Sequence, residues 1–149
     1  MKLGVDVFFE SHLDLVRGRR VGLITNPTGI DRALGSIVER FRTHPEVRLV
    51  ALYGPEHGVR GNAQAGEFVA FYDDQHFRLP VFSLYGQALT ARVNPLADID
   101  ATMRAFDTQS TGKTVTGDML RGVDVLVFDL QDVGTRVYTY VATMAYAMQ

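Results

Sequence analysis

Short apolar runs alternate with helix-like segments along this chain, and this alternation restricts its fold more than any other feature. Four runs have the length and the apolar content that are typical of buried strands. They lie at residues 20–25, 47–53, 80–84 and 123–128. Strands separated by helices need crossover connections, which give a parallel sheet covered on both faces. We therefore predict an α/β domain with a Rossmann-like, mostly parallel sheet and helices on both faces.

Two helices are predicted from local signals. Ser36 and Glu39 have the spacing of a capping box, which predicts a helix that ends before Pro45. A second helix is predicted over residues 135–149, where apolar residues recur at helical spacing. This helix has no glycine, asparagine or proline to terminate it, and four strands are few for a doubly wound sheet. These two features indicate an incomplete chain, and the alternative is a small domain whose final helix frays at its end.

Residues 87–117 do not follow the alternation of strands and helices. They contain an Asn-Pro turn signal at Asn94 and a stretch rich in threonine, glycine and serine. We interpret this segment as a surface loop inserted between the third and fourth predicted strands.

The composition excludes several classes of protein. The 149 residues include no cysteine, which excludes a disulfide scaffold, an iron–sulfur cluster and a cysteine nucleophile. A formal charge of −2 without a basic run argues against a nucleic-acid partner. No stretch approaches the roughly 20 apolar residues that span a bilayer, so we expect no membrane span.

Motifs for cofactors and for export are also missing from the sequence. The glycines do not match a dinucleotide fingerprint, and no helical His-x-x-x-His pair is present. We therefore expect no cofactor and no resident metal. The first ten residues hold one lysine and two acids, Asp6 and Glu10, so they do not resemble a secretory signal. The chain as written is expected to be cytoplasmic.

Polar residues follow each predicted strand at the point where it ends. Because the carboxyl ends of parallel strands share one edge of the sheet, and ligands bind at that edge, we expect these side chains to converge on a site. The residues are Asn26, Thr28, Glu56, His57, Arg60, Ser83, Tyr85, Asp129, Gln131, Asp132, Arg136 and Tyr138.

The segment GPEHGVRG at residues 54–61 is the most informative part of this edge. Its glycines allow sharp turns and a close approach of the backbone to a ligand. A glutamate in such a partly enclosed turn, Glu56, is suited to act as a general acid. The alternative interpretation is a surface loop that carries charged residues.

Two acids follow the fourth predicted strand directly. Asp129 is suited to orient a partner, to bind a metal or to serve as a second carboxylate. Asp132 is equally suited to cap the helix that follows, because the N-terminus of a helix favours an anion. A metal-dependent hydrolase that uses Glu56, His57 and Asp129 is therefore an alternative function.

Several multi-residue blocks occur in an order that resembles a known family. They are LITNPTG at 23–29, GPEHGVRG at 54–61, QAGE at 64–67, PVFSLYG at 80–86 and residues 123–143. Together they resemble the N-terminal, Rossmann-like domain of the bacterial exo-β-N-acetylmuramidases, and the resemblance covers nearly the whole chain. It implies release of N-acetylmuramic acid from the non-reducing end of peptidoglycan fragments in cell-wall turnover and recycling. It also implies a second, C-terminal domain across the active-site cleft, so we expect residues 1–149 to form a truncated N-terminal domain without that C-terminal domain. In many members it further implies a periplasmic or secreted location.

The resemblance implies the catalytic groups. Glycoside cleavage needs a proton donor and stabilisation of an oxocarbenium-like centre. Glu56 is the implied acid, and His57 is suited to orient it. The second carboxylate is Asp129, Asp132 or Glu67, and the substrate's own 2-acetamido group is an alternative nucleophile.

The resemblance also implies contacts with the sugar. Its lactyl carboxylate calls for a cation, for which Arg60 or Arg136 is suited. Asn26 and Gln131 are suited to bind the acetamido group, and the Tyr138 ring offers a surface on which a sugar can stack. The full substrate-binding set is Asn26, Arg60, Glu67, Tyr85, Gln131, Asp132, Arg136 and Tyr138. A non-catalytic sugar- or nucleotide-binding module is the other alternative function.

Overall fold

Five strands and three α-helices form the described part of the chain, which comprises residues 2–65, 67, 69–85, 117–135 and 139–148 of a computed structural model. In chain order they are α1 (Gly4–Ser11), a 3-10 turn (Leu13–Leu15), β1 (Arg20–Thr25), α2 (Ile37–Thr43), β2 (Arg48–Gly54), β3 (Tyr72–Asp74), β4 (Leu79–Ser83), β5 (Val125–Asp129) and α3 (Tyr140–Ala147). The loop predicted at 87–117 lies outside the described residues, except for Gly117, which lies in a turn.

The strands form one sheet in the order β3-β4-β2-β1-β5. β1 pairs in parallel with β2 and β5, and β2 pairs in parallel with β4. The short strand β3 lies at one edge and pairs antiparallel with β4. The prediction of an α/β fold with a mostly parallel sheet is confirmed. The sequence does not reveal β3, because this three-residue strand carries two acids and no apolar run.

Helices α1 and α2 cover one face of the sheet. Val5 and Phe9 of α1 and Phe41 of α2 pack with Val21 and Leu23 of β1 in one hydrophobic cluster. The Phe41 ring lies 5.0 Å from the Phe9 ring in an edge-to-face arrangement, which is a favoured geometry for aromatic pairs. The buried aromatic contacts therefore dock both helices on the same face.

The opposite face of the sheet buries a second cluster. Ile24 of β1 and Tyr53 of β2 pack there with Leu84 and Leu120. Ala147, the last residue of α3, packs against the same cluster. Helices therefore cover both faces, as predicted.

Helix α2 begins where the capping-box spacing predicts, but the reciprocal hydrogen bonds of a capping box do not form. Ser36 is the N-cap residue, yet its side chain makes no capping hydrogen bond. Glu39 instead pairs with Arg42 at 2.5 Å. The helix ends at Thr43, before the proline, as predicted. Its stability therefore comes from burial of its apolar face.

Helix α3 is shorter than predicted and buries a different face. Residue 135 is not helical, and the helix begins at Tyr140. Thr143 is fully buried, whereas Val141 and Met148 are 59% and 80% exposed. The apolar spacing therefore predicts a helix correctly but does not identify its buried face. In the described part of the chain, no helix has the length and the hydropathy that a membrane span requires.

Candidate functional site

The carboxyl ends of four parallel strands meet at one edge of the sheet. Thr25 at the end of β1 is in register with Asp129 at the end of β5. Gly54 at the end of β2 is in register with Ser83 at the end of β4. The residues that follow these strands therefore start from a common edge, which is where open α/β sheets bind their ligands.

The turn after β2 is compact because several of its residues have positive φ. His57, Gly58 and Gly61 have φ values of 71°, 74° and 65°. A Cβ atom on Gly54 would lie 2.7 Å from the backbone nitrogen of Val59, so the close return of the chain requires glycine there. His57 holds this left-handed conformation with a full side chain, which is uncommon and is found more often at functional sites.

Glu56 is half-buried and accepts hydrogen bonds from two hydroxyl groups. Thr139 Oγ1 donates to Glu56 Oε2 at 3.1 Å. Burial, the negative charge of Glu56 and a hydrogen bond to it raise the pKa of Tyr85. The phenol therefore stays protonated and acts as a donor. Three elements meet at this carboxyl, because Glu56 follows β2, Tyr85 follows β4 and Thr139 precedes α3.

The His57 ring is bound by the backbone rather than by Glu56. Its Nδ1 lies 2.9 Å from the carbonyl oxygen of Ala63. Because a carbonyl oxygen can only accept, Nδ1 is the donor in this hydrogen bond, which leaves Nε2 for a second contact. Within the described residues, no hydrogen bond joins His57 to Glu56. The hydroxyl donors, and not the imidazole predicted from the sequence, orient the glutamate here.

Asp129 is a half-buried carboxyl at the end of β5. Burial raises its pKa, and the described part of the chain offers its side chain no hydrogen-bond or ion-pair partner. Buried carboxylates are normally paired, and perturbed ones are concentrated at functional sites. Since β1 separates β2 from β5, the backbones that carry Glu56 and Asp129 stand about 10 Å apart, which is two strand spacings.

Asn26 is buried, and both ends of its amide are hydrogen-bonded. Its Oδ1 accepts from the Thr28 backbone N–H at 2.9 Å and from the Thr28 hydroxyl at 2.6 Å. Its Nδ2 donates to the Tyr140 hydroxyl at 3.0 Å. The Gln131 backbone N–H donates to Thr28 Oγ1 at 3.1 Å. Asn26 therefore connects three segments of the edge, and its contact with an acetamido group stays a prediction.

The Arg60 guanidinium is anchored to the β3–β4 hairpin. Its Nε and Nη2 donate to Asp74 Oδ2 at 3.0 and 2.5 Å. Asp74 also accepts the backbone N–H groups of His76 and Phe77 at 2.9 Å. Burial favours the neutral acid, but the hydrogen bonds from Phe77 and Arg60 outweigh it and hold the pKa of Asp74 below its usual value. The Arg60 side chain stays 46% exposed.

Two predicted acids lie on exposed turns. Glu67 accepts the backbone N–H of Gln64 at 2.7 Å. Asp132 accepts the backbone N–H of Gly134 at 2.7 Å. Asp132 therefore closes its own turn and does not cap α3, whose N-cap is Thr139. Both carboxylates stabilise local backbone structure.

The remaining candidates contribute less to this geometry. The Gln131 side chain is exposed, and Arg136 and Tyr138 lie outside the described residues. Over the ranges that the structure describes, no three His, Asp or Glu side chains are grouped closely enough to hold a metal ion. The alternative of a metal-dependent hydrolase therefore finds no ligand set there.

Sequence reasoning missed Thr139 and Asp74. Thr139 lies inside the helix predicted at 135–149, where a threonine carries no signal. Threonine is a favoured N-cap residue, and this preference identifies Thr139 once the helix start is placed at Tyr140. Asp74 lies in a short edge strand, and no local pattern relates it to Arg60.

Comparison with sequences of known proteins gives two matches. The family described as "Exo-beta-N-acetylmuramidase NamZ, N-terminal" matches residues 21–115 and 103–149. The "Peptidoglycan beta-N-acetylmuramidase NamZ" of Bacillus subtilis (strain 168) is 42% identical over 149 residues. This match covers 100% of the chain and 30% of the Bacillus subtilis protein. The chain thus spans less than a third of the length of this relative.

Two crystal structures of DUF1343 family proteins from Bacteroides fragilis NCTC 9343 resemble this fold. One is 41% identical with a TM-score of 0.73, and the match covers 99% of this chain and 30% of that one. The other is 22% identical with a TM-score of 0.59 and the same coverage, and it supports the fold alone.

Proposed function

The chain belongs to the exo-β-N-acetylmuramidase NamZ N-terminal family, and from that premise we propose that it carries the acid of a glycoside hydrolase. The proposed reaction releases N-acetylmuramic acid from the non-reducing end of peptidoglycan fragments, in cell-wall turnover and recycling. The observation that supports it best is the half-buried Glu56 carboxyl, which meets the Thr139 and Tyr85 hydroxyls at the ligand-binding edge of the sheet.

Glu56 is the proposed general acid. Breaking the glycosidic bond leaves the bonding electrons on the departing oxygen, which must receive a proton. Glu56 supplies that proton and becomes a carboxylate. The Thr139 and Tyr85 hydroxyls already donate to this carboxyl, so they stabilise the negative charge that forms there. Hydrogen bonds to an ionised acceptor are about twice as strong as those between neutral groups.

Asp129 is the proposed second carboxylate. The anomeric carbon becomes positively charged as the bond breaks, and an ionised carboxylate nearby stabilises that charge. Asp129 has no partner to neutralise it within the described residues, whereas Glu67 and Asp132 bind the backbone of their own turns. The intervening strand β1 separates the backbones that carry the two acids by about two strand spacings, roughly 10 Å.

Arg60 is the proposed ligand of the lactyl carboxylate that distinguishes muramic acid from glucosamine. Asp74 fixes one side of its guanidinium. The exposed part of the guanidinium keeps donors for a second carboxylate. The bound ligand is accordingly a muramyl sugar or a peptidoglycan fragment.

A chromogenic β-glycoside of N-acetylmuramic acid tests this proposal. The chain, its Glu56→Gln variant and a Glu10→Gln control are incubated with this substrate and with the N-acetylglucosamine analogue. We expect colour from the muramyl substrate alone, and a loss of about 100-fold or more in Glu56→Gln. Glu10 lies on α1 and pairs with Lys2, so its variant keeps full activity.

Two outcomes contradict the proposal. Equal turnover by Glu56→Gln and Glu10→Gln would remove Glu56 from the mechanism. Saturable binding of N-acetylmuramic acid, measured by calorimetry, without colour in any sample would instead indicate a non-catalytic sugar-binding module.

A further inference from the structure

We propose that Thr139 is the positioning residue of Glu56, holding the carboxyl by a hydrogen bond from its hydroxyl. No pattern in the sequence singles out this threonine. The bond joins Thr139 Oγ1 to Glu56 Oε2 at 3.1 Å across 83 residues of chain. The inference deepens the proposed function, because it gives the acid of that function a fixed orientation.

The Thr139 hydroxyl is available for this role because it does not cap its own helix. Thr139 is the N-cap residue of α3, but its side chain makes no capping hydrogen bond. An N-cap threonine ordinarily accepts a backbone N–H of the first turn. Here the first turn is closed by Thr143, whose N–H and hydroxyl donate to the Thr139 carbonyl at 3.0 and 3.2 Å.

The start of α3 is itself held firmly against the sheet. Tyr140 accepts a hydrogen bond from the buried Asn26 side chain. Thr143 is 1% exposed, and Ala147 packs in the second hydrophobic cluster. The donor that meets Glu56 therefore has a position set by contacts on both sides of it. A donor held in this way orients a flexible glutamate with less loss of rotamer freedom at the moment of reaction.

The bond also distinguishes the two oxygens of the carboxyl. A protonated carboxyl has one O–H donor and an acceptor oxygen. Oε2 is the oxygen that accepts from Thr139, so the bond fixes the carboxyl at that oxygen.

The carbon-13 NMR signal of the Glu56 carboxyl, recorded at one fixed pH, tests this inference without requiring turnover. The Glu56 carboxyl signal is assigned by its loss in Glu56→Gln. It is then compared in the wild type, in Thr139→Val, which keeps the shape without the hydroxyl, and in Thr139→Ser, which keeps the hydroxyl. Thr43→Val is the matched control, since it removes the hydroxyl of an exposed threonine on α2 that donates to the Glu39 carbonyl. Tyr85, the titratable group that meets this carboxyl, is unchanged in every sample.

We expect the carbon-13 signal of the Glu56 carboxyl to move in Thr139→Val, because the hydrogen bond that its Oε2 accepts is lost. Thr139→Ser and Thr43→Val are expected to give the wild-type signal. Thr139→Ala removes the same hydroxyl with a smaller side chain and is expected to show the same shift. Because the Thr139 hydroxyl makes no capping bond, its replacement removes no backbone hydrogen bond of α3.

Either of two results would overturn the inference: a wild-type Glu56 signal in Thr139→Val and Thr139→Ala, or an equal change of that signal in Thr43→Val. With the chromogenic substrate, we expect Thr139→Val to lower kcat about 10-fold with KM unchanged, and Thr139→Ser to restore it. A change in KM alone would also contradict a positioning role. A changed Glu56 signal in Thr139→Val, in a chain that has no muramidase activity, would reject the proposed function and support the role of Thr139.

Discussion

The Asn26 side-chain amide donates a hydrogen bond to the Tyr140 hydroxyl at 3.0 Å, and this bond joins residues that are 114 positions apart. It links the end of β1 to the first residue of α3. Because Thr139 immediately precedes Tyr140, the bond also helps to place the hydroxyl that meets Glu56. The buried Asn26 amide therefore helps to hold the proposed acid Glu56 in place, through Tyr140 and the neighbouring Thr139.

Removal of the Tyr140 hydroxyl should destabilise the fold. In Tyr140→Phe, a buried donor of Asn26 loses its acceptor, and we expect the free energy of unfolding to fall by about 1–2 kcal/mol. Urea denaturation followed by circular dichroism measures the change. Tyr146→Phe is the matched control, since Tyr146 lies half-buried on the same helix. Equal losses in the two variants would show that the Asn26 bond contributes nothing specific.

Replacement of Asp129 should separate stability from activity. Burial raises the pKa of Asp129 in the folded state, above the value of about 3.9 in an unfolded chain. The folded state therefore binds the proton of the Asp129 carboxyl more tightly than the unfolded state does. The free energy of unfolding falls as the pH rises from the unfolded-state pKa through the folded-state pKa. We expect Asp129→Asn to be more stable than the wild type at pH 7 and, under the proposed function, to turn over less substrate.

Urea unfolding at a series of pH values from 3 to 8 provides the stability measurement for Asp129→Asn. The difference from the wild type is expected to vanish below the unfolded pKa, where the aspartate is protonated in both states. Asp73→Asn, at an exposed position in β3, should follow the wild type throughout. A variant that is less stable than the wild type at pH 7 would show that Asp129 is favourably paired.

The ion pair between Arg20 and Asp124 should stabilise the fold above mildly acidic pH. The Arg20 side chain and its backbone N–H both bind the Asp124 carboxylate and hold the pKa of Asp124 well below its usual range. This stabilisation is present above the unfolded pKa of about 3.9 and is lost as the pH falls through the folded value. We expect Asp124→Asn to be less stable at pH 7, with a flatter acid transition.

Asp118→Asn is the control for that experiment. Asp118 pairs with Arg121, but their side chains are 88% and 83% exposed, and such surface pairs contribute little. Acid and urea denaturation should therefore detect no loss in this variant. A loss equal to that of Asp124→Asn would show that both pairs act only through net charge.

Gly22 in the middle of β1 should not tolerate a side chain. A Cβ atom there would lie 2.7 Å from Tyr53 Cε2 and 2.8 Å from Leu126 Cδ2. We expect Gly22→Ala to cost about 1–3 kcal/mol, because the tightly packed neighbours must shift. Gly4→Ala is the control, since nothing lies within 4 Å of its added Cβ. A Gly22→Ala protein as stable as the Gly4→Ala protein in urea would contradict this packing.

Local signals in the sequence predict the parallel strands and α2. The run at Arg20–Thr25 has the same bounds in the structure as in the prediction, because a short apolar segment flanked by turn residues has few other stable conformations. The turn after β2 is also predictable from local signals. Its glycines permit the sharp backbone turn that places Glu56 at the edge of the sheet. Where the local signal is weak, as in Tyr72–Asp74, prediction fails.

Local apolar runs and turn residues were enough to predict the α/β architecture, the edge of the sheet where the candidate site lies and the candidate acid Glu56. The partners of those residues follow only from the tertiary packing. Thr139 reaches Glu56 from 83 positions away, Asp74 rather than a free surface receives Arg60, and Thr143 rather than Val141 turns inward on α3. Such pairings depend on how the sheet and its helices pack. Packing brings together residues that are far apart in the sequence and that no sequence pattern relates.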